Sequence, residues 1–325
     1  MKKFYTYDEQ IEKMISDGLI IENRDEVLSS LSDIGYYRLI KGYYGLFVDR
    51  SGSKQTGGHV KYKENTRFEN IKALYDFDFE LRNTIYKRMS TIETLIKSVV
   101  SYVFSKHHGI DHNLYLKESC FNANNKNKAE IARLIETCND TIAETSNANS
   151  GFYRVYIAHA LETYAQVPVW AMFMVLTFGN VSKFYQLMIP EEKAEIASFF
   201  NVSDLELENI LKIIVKFRNI VFHHERLYNA RLPKERLSQK LKVAKSLSIP
   251  KNKSGENKYG RNDFLSLLIA MKYLLKQLDF AGLIEELDLL FEQLEKRTSE
   301  SCVKAVKTEM RIAKVNLDTL VKIKV

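Results

Sequence analysis

The stretch from Arg67 to about Lys106 constrains the fold most, because it carries neither glycine nor proline. Its apolar residues, among them Ile71, Leu74 and Ile85, recur at steps of three and four, the spacing of one face of an α-helix. One long amphipathic helix is therefore predicted. The whole chain of 325 residues has only 13 glycines and 4 prolines, so few positions interrupt helices and the predicted fold class is all-α.

The N-terminal part of the chain is predicted to form a separate helical subdomain. Thr6 with Glu9 has the spacing of a capping box and Gly18 is a helix stop, and DEVLSSLSDIG predicts a second helix. The polar run SGSKQTGGHVKYKEN is predicted to be an exposed loop, whereas GYYRLIKGYYGLF has no clear assignment. We predict four segments: an N-terminal helical subdomain at 1–50, an exposed loop at 51–66, a main helical domain at 67–295 and a basic helical tail at 296–325.

Further helices are predicted within the main domain. KAEIARLIETCNDTIAE predicts one helix, and the polar TSNANSG after it predicts a mobile link. The apolar run that follows Pro168 predicts a central buried helix up to Gly179. Two more helices are expected at 190–199 and 203–230, the second with a capping box that starts at Ser203. RNDFLSLLIAMKYLLKQL and DLLFEQLEKRTSE complete the core after the loop IPKNKSGENKYGRN.

Charge and cysteine content narrow the function classes. A formal net charge of +7 and a pI near 9.0 favour polyanionic partners, chiefly nucleic acid. Cys120, Cys138 and Cys302 show no CxxC spacing, so we expect reduced thiols and neither a disulfide framework nor a zinc site. No signal peptide and no membrane-length apolar run is recognised, so a cytoplasmic protein without membrane contact is expected.

One histidine-rich segment, HHGIDH, resembles a metal-binding pattern only in part. His108 and His112 have helical i, i+4 spacing, but Gly109 weakens a helix there and Asp111 is the nearby carboxylate. We therefore predict no metal site. Nucleophile elbows, Walker loops and GxGxxG turns are missing from the sequence, which argues against hydrolase, NTPase and dinucleotide chemistry and predicts no cofactor.

The segment KFRNIVFHHERLYN, residues 216–229, places charged and imidazole side chains in an apolar helical pattern. At about 100° per residue, a core face is predicted for the apolar residues Ile210, Ile213, Ile214, Phe217, Ile220 and Val221. Arg218 and His223 lie on the two flanks of the opposite face. Between them, Leu211, Val215 and Phe222 form a second apolar stripe, which an interface with another copy of the chain would explain.

RNIVFH is an Arg-x4-His motif, and together with HERLYN it resembles the signature of the HEPN superfamily as carried by Abi-like abortive-infection proteins of the AbiD and AbiF group. The flanking segments agree in order: DEQIEKMISDGLII, GYYRLIKGY, ALYDFDFELRNTIYKRMSTIET and VPVWAMFMVLTFGNVSKFY. The resemblance covers most of residues 6–290. Phe222 departs from it, because a small residue is expected before the paired histidines.

The resemblance implies a HEPN-like helical bundle, a homodimer formed through the Arg-x4-His helix, and metal-independent RNA cleavage in antiphage defence. Residue chemistry agrees, since an imidazole with a pKa near 6.5 can move the protons that let an RNA 2′-hydroxyl attack its phosphate. His223 is the candidate general acid/base. Arg218 is the candidate for stabilising the charged phosphoryl group, because a guanidinium stays protonated and binds phosphate in bidentate fashion.

Supporting roles are assigned by position. Asn219 is a candidate to orient His223 or hold a phosphate, and His224 is either a second proton carrier or structural. Glu93, an acidic residue amid apolar neighbours, either pairs with Arg218 or is solvated. The candidate contacts to the RNA backbone are basic residues of the motif segment and the long helix: Lys212, Lys216, Arg226, Arg88, Arg82 and Lys87.

A binding role is the main alternative to catalysis. In that interpretation the protein holds RNA, for instance a structured noncoding RNA, without cutting it. Both interpretations predict RNA affinity, so only the detection of cleavage products separates them. A DNA-binding regulator is disfavoured, because the sequence shows no helix-turn-helix with a basic recognition helix.

Overall fold

A computed structural model of the chain describes residues 4–51, 60–145 and 155–325. These residues form helices and no β-strand, as the all-α prediction requires. The α-helices are α1 (Tyr7–Ser16), α2 (Arg24–Ile34), α3 (Phe68–His108), α4 (His112–Tyr115), α5 (Lys128–Thr145), α6 (Val155–Tyr164), α7 (Val169–Val175), α8 (Phe178–Leu187), α9 (Pro190–Ser198), α10 (Asp204–Phe222), α11 (Lys242–Ser246), α12 (Phe264–Leu274), α13 (Gln277–Arg297), α14 (Glu300–Glu309) and α15 (Leu317–Lys322). A π-helical turn at Tyr37–Lys41 and 3₁₀ turns at Tyr44–Leu46 and Glu118–Cys120 complete the helical structure.

The chain divides into two compact units. The first contains Met1–Ile85, His224–Ala230 and Gly282–Asn316. Its helix α1 begins at the predicted capping box of Thr6, and α1 packs against α2. Phe77 of α3 meets Phe291 of α13 with ring centroids 5.3 Å apart, so the core of this unit joins segments that are distant in sequence.

The second unit contains Tyr86–His223, Arg231–Ala281 and Leu317–Val325. Its centre is α12, in which every residue is buried. Helix α10 packs against α12, α8 and α9, and its own apolar face is therefore covered on several sides. The C-terminal helix α15 is attached through Lys272, whose Nζ atom donates to the carbonyl oxygen of Val321 at 2.8 Å.

Two helix predictions were wrong in their extent. The apolar run after Pro168 is not one helix, because it is interrupted at Leu176 and restarts at Thr177, whose hydroxyl accepts from the backbone N–H of Asn180. The helix predicted at 203–230 begins at its capping box but ends at Phe222. The long helix, by contrast, is confirmed, with bounds within two residues of those predicted.

Some predictions fall on residues outside the described ranges. The polar loop at 51–65 is described only in part, and most of TSNANSG lies outside. The division into four sequential segments stays a prediction. The three cysteines are free, and Cys138 and Cys302 are buried, as expected of reduced thiols. Within the described ranges, none of the helices has the length and apolar character needed to cross a bilayer.

Candidate functional site

Helix α10 presents the first residue of the motif, Arg218. The Ser203 hydroxyl accepts from the Glu206 backbone N–H and the Glu206 carboxylate accepts from the Ser203 backbone N–H, so both halves of the capping box are present. Most of the predicted core face is buried, with Ile213 and Phe217 fully so. Because this face fixes the rotation of the helix, Arg218 is directed away from the core and keeps 23% of its side chain exposed.

The histidines lie beyond the end of α10, which corrects their predicted placement on the helix. His223 is the C-cap, and its N–H donates to the Asn219 carbonyl at 2.9 Å. His224 follows with φ of 55°, in the left-handed region that ends helices and that glycine adopts most readily. Arg38 donates to the His224 carbonyl at 3.3 Å. The backbone therefore gives His224 a structural role, and its side chain is exposed.

Arg218 is restrained by two neighbours. Its Nε atom lies 3.7 Å from Oε2 of Glu93 on α3, so the ion pair considered from the sequence is present. Its guanidinium carbon lies 3.7 Å from the ring centroid of Phe222, one helical turn later. The ring centroids of Phe222 and Tyr86 are 4.8 Å apart. Phe222, which departs from the expected small residue before the histidines, thus forms a cation–π contact with Arg218.

Hydrogen bonding at Arg218 is incomplete. Among the described residues, its buried Nε atom has no hydrogen-bond partner, because the separation from Glu93 exceeds hydrogen-bonding distance. Glu93 in turn forms a closer ion pair with Lys97 at 2.9 Å. The guanidinium is therefore held in place by the charge of Glu93 and by the ring of Phe222.

An open cleft of about 460 Å³ lies beside this arginine. Helix α3 contributes small hydroxyl side chains to it, and α7 contributes Trp170 and Met174, which are 50% and 51% exposed. Arg218 and Phe222 contribute from α10. A cleft that combines a cation, hydroxyls and exposed aromatic surface is suited to a ligand with an anionic group and an apolar part.

His223 does not line this cleft, although it is exposed. Asn219 is exposed as well, and its carbonyl holds the helix end. The structure therefore joins Arg218 with Glu93, whereas His223 is not among the residues that line this cleft. Leu211, assigned from the sequence to an open stripe, is fully buried within the chain, which removes it from any interface.

The basic candidates divide into exposed and buried groups. Lys212 and Lys216 are 43% and 50% exposed and pair with glutamates, at 2.7 Å for Lys212 and 3.5 Å for Lys216. Arg226 lies outside the helix and donates to the carbonyl of Gly42. Arg88 is only 7% exposed and Arg82 4%, so burial withdraws both from a surface that RNA would contact. Of the residues predicted to contact the RNA backbone, Lys212 and Lys216 thus remain exposed on α10.

Comparison with known proteins agrees with the resemblance to Abi-like proteins. The family model described as Abi-like protein matches residues 29–229, which is more than half of the chain and contains α10 with both motif residues. The chain belongs to the Abi-like family. No curated protein and no solved structure matches it.

The Abi-like match also contains a buried carboxylate that sequence reasoning missed. Asp78 on α3 is fully buried and accepts hydrogen bonds from the Tyr43 hydroxyl, from Arg82 and from the backbone N–H groups of Leu227 and Tyr228. Burial raises the pKa of Asp78, while Arg82 and the other donors oppose that effect. The residues that follow the paired histidines are thus fixed by one aspartate. Asp78 is an acidic residue among the apolar residues of α3, and this pattern could have identified it from the sequence.

The segment HHGIDH of this Abi-like chain has structural partners. His108 lies 2.6 Å from Oε1 of buried Glu192, and His112 accepts from the Val167 N–H at 3.2 Å. Burial raises the pKa of Glu192 to about 7, and burial followed by the charge of His107 lowers the pKa of His108. In the described part of the chain, no cluster of three metal-binding side chains is found.

Proposed function

We propose that this Abi-like protein is a metal-independent endoribonuclease of the HEPN type that acts in abortive-infection defence. One observation carries the proposal: Arg218 is held by Glu93 and Phe222 at an open cleft, with a buried Nε atom that has no partner in the described ranges. A guanidinium held beside a cleft suits a phosphodiester, because a guanidinium offers bidentate hydrogen bonds and permanent positive charge. Family membership supports the defence role.

The proposed reaction is an internal transesterification. The 2′-oxygen of the RNA bonds to the adjacent phosphorus while the bond from phosphorus to the 5′-oxygen breaks, which leaves a 2′,3′-cyclic phosphate and a 5′-hydroxyl. His223 moves protons in this step, taking one from the 2′-hydroxyl or delivering one to the leaving oxygen. Arg218 stabilises the negative charge on the phosphoryl oxygens.

The active species is proposed to be a homodimer. Within one chain His223 is exposed at the end of α10 and lies outside the cleft that Arg218 lines. A second copy placed against α10 supplies His223 to the cleft of the first, and the symmetry of a dimer makes the exchange reciprocal. Val215 and Phe222, which are half-buried, remain available to that contact, whereas Leu211 does not.

The catalytic assignment is tested with 5′-labelled RNA in the presence of EDTA. The wild-type protein should produce fragments that end in a 2′,3′-cyclic phosphate, and Arg218→Ala and His223→Ala should each abolish them without unfolding the protein. His159→Ala is the matched control, because His159 is also exposed and lies on α6, outside the motif and not among the residues that line the cleft. Wild-type cleavage by either motif variant contradicts the assignment.

Dimerisation is tested by subunit mixing. Each variant alone should be inactive, but a mixture of Arg218→Ala with His223→Ala contains dimers in which one cleft has both an arginine and a histidine. Such a mixture should recover part of the activity. A protein that is monomeric by light scattering at concentrations where it cleaves RNA contradicts the dimer.

A non-cleaving RNA-binding role is the second candidate, in which the protein holds a structured noncoding RNA. The separation of His223 from the Arg218 cleft within one chain favours it, because an arginine alone binds phosphate without cutting. RNA that co-purifies with the protein and stays intact during incubation supports this role. Cyclic-phosphate ends that depend on His223 exclude it.

A further inference from the structure

The cleft beside Arg218 contains side chains that the cleavage step does not use. Trp170 and Met174 extend from the same face of α7, one turn apart, and about half of each is exposed. The residues between and before them, such as Val169, Met172 and Phe173, are buried. Helix α7 thus leaves its largest aromatic side chain in water at the edge of a cleft, although its other faces are packed.

The wall formed by α3 carries a row of small hydroxyl side chains beside Tyr86, Glu93 and Lys97. Ser90, Thr94 and Ser98 follow one another at four-residue steps, line the cleft and are exposed. These three side chains are small and leave open space in the cleft that Trp170 also lines. The volume of about 460 Å³ falls within the range of about 300–1,000 Å³ that small-molecule sites occupy.

The combination points to one kind of occupant. Arg218 is a restrained cation for an anionic group, the indole of Trp170 is a flat surface for an aromatic ring, and the hydroxyls on α3 can exchange hydrogen bonds with a polar ring edge. A nucleotide has all three features at short separation. The net charge of +7 favours a polyanion over an acidic or neutral protein surface.

We propose that the cleft is a nucleobase subsite in which the base of one unpaired ribonucleotide stacks on Trp170 while its phosphate meets Arg218. This inference rests on the proposed function, because it names the part of the RNA that the same site selects. A base in a duplex is already stacked on both faces, so the subsite requires a single-stranded region. Stacking on an indole is worth about 5- to 150-fold in affinity for each base.

The test uses the intrinsic fluorescence of Trp170, the only tryptophan of the chain. The full-length protein is titrated with a single-stranded oligoribonucleotide whose 2′-hydroxyls are all methylated, so that binding is observed without cleavage. Saturable quenching is expected with the single strand and not with a duplex of the same sequence. Quenching that is equal for both, or binding that leaves the fluorescence unchanged, overturns the subsite.

Variants provide the second measurement, by anisotropy of a labelled strand. Trp170→Ala should weaken binding of the single strand at least fivefold, whereas Trp170→Phe should retain most of the affinity because a phenyl ring still stacks. Leu278→Ala is the matched control, since Leu278 is also an exposed apolar residue, 85% accessible on α13. Unchanged affinity in Trp170→Ala overturns the proposal, and so does its conversion of a dimer into a monomer, because Trp170 would then contact a second copy.

Failure of the subsite and failure of the nuclease proposal give different results. Cleavage that depends on Arg218 and His223 but leaves Trp170 without a response overturns the subsite alone. Quenching by the single strand in a protein that produces no cyclic-phosphate ends supports the subsite and removes the catalytic role. The two measurements are therefore made on the same preparation.

Discussion

Replacing Glu192 by glutamine should stabilise the protein at neutral and alkaline pH while leaving its stability at pH 5 nearly unchanged. Glu192 is fully buried, its Oε1 atom lies 2.6 Å from Nε2 of His108, and its Oε2 atom has no hydrogen-bond partner in the described part of the chain. Burial raises the pKa of this carboxyl from its ordinary value of 4.5 to about 7. A glutamine amide is neutral at every pH and can still donate to His108.

Proton binding by Glu192 decides the direction in which the free energy of unfolding changes with pH. Between pH 4.5 and about 7 the native carboxyl holds a proton that the unfolded chain has released, so the free energy of unfolding falls as pH rises through this window. The stability contributed by the protonated Glu192 carboxyl is fully present below pH 4.5 and is lost above about pH 7. At about 1.36 kcal/mol for each pKa unit, the loss amounts to about 3 kcal/mol. The pKa of His108 is lowered, so His108 makes the free energy of unfolding rise with pH in both the wild type and Glu192→Gln. Subtracting the two free energies at each pH largely removes the contribution of His108.

The assay is urea denaturation at pH 5, 6, 7 and 8, followed by circular dichroism and extrapolated to water. The stability of Glu192→Gln relative to wild type should rise with pH by up to about 3 kcal/mol. Glu195→Gln is the matched control on the same helix: hydrogen bonds from His107 and Lys106 lower the pKa of Glu195 below its ordinary value of 4.5, so this carboxyl is ionised in both the folded and the unfolded chain from pH 5 to 8 and a nearly flat difference is expected. A difference for Glu192→Gln that is flat or falls with pH refutes the reasoning.

Four further predictions concern the site and its support. Asp78→Ala should cost about 3–5 kcal/mol in urea denaturation, because it leaves buried Arg82 and two backbone donors without their acceptor. Glu93→Gln should keep the fold but lower kcat/KM for RNA roughly tenfold, since Arg218 loses its electrostatic restraint; unchanged kinetics would falsify that role. His224→Gly should stabilise by up to about 1 kcal/mol by relieving its positive φ and should keep cleavage, whereas lost cleavage would identify a catalytic imidazole. RNA affinity should fall steeply with salt, and a flat dependence measured by anisotropy would show that phosphate contacts are not its main source.

Much of the helical architecture could be predicted because its signals are local. The apolar period of α3 spans Phe68–His108 and was predicted within two residues at each end. The capping boxes at Thr6 and Ser203 are present as their spacing indicates. Caps and periodicity depend on neighbours within about one helical turn, so they can be read without knowledge of the fold.

The candidate site could be predicted only in part. Arg218 and Glu93 form an ion pair, as the acidic residue amid apolar neighbours suggested. The exposed position of Trp170 at the cleft was missed, because a tryptophan in an apolar run predicts a core position. The same argument failed at Leu176, where the run breaks into two helices.

The sequence by itself determined the all-α class, the start of α10 and the membership of Arg218 and His223 in one motif. Only the tertiary structure decided that α10 ends at Phe222, that Leu211 and Arg88 are buried, and that Asp78 holds the segment after the histidines. The physical reason is that some interactions join neighbours in the sequence whereas others join distant segments. A helix starts where local caps satisfy its N–H groups, but its end, the burial of its flanks and the partner of a buried carboxylate depend on segments far away in the chain.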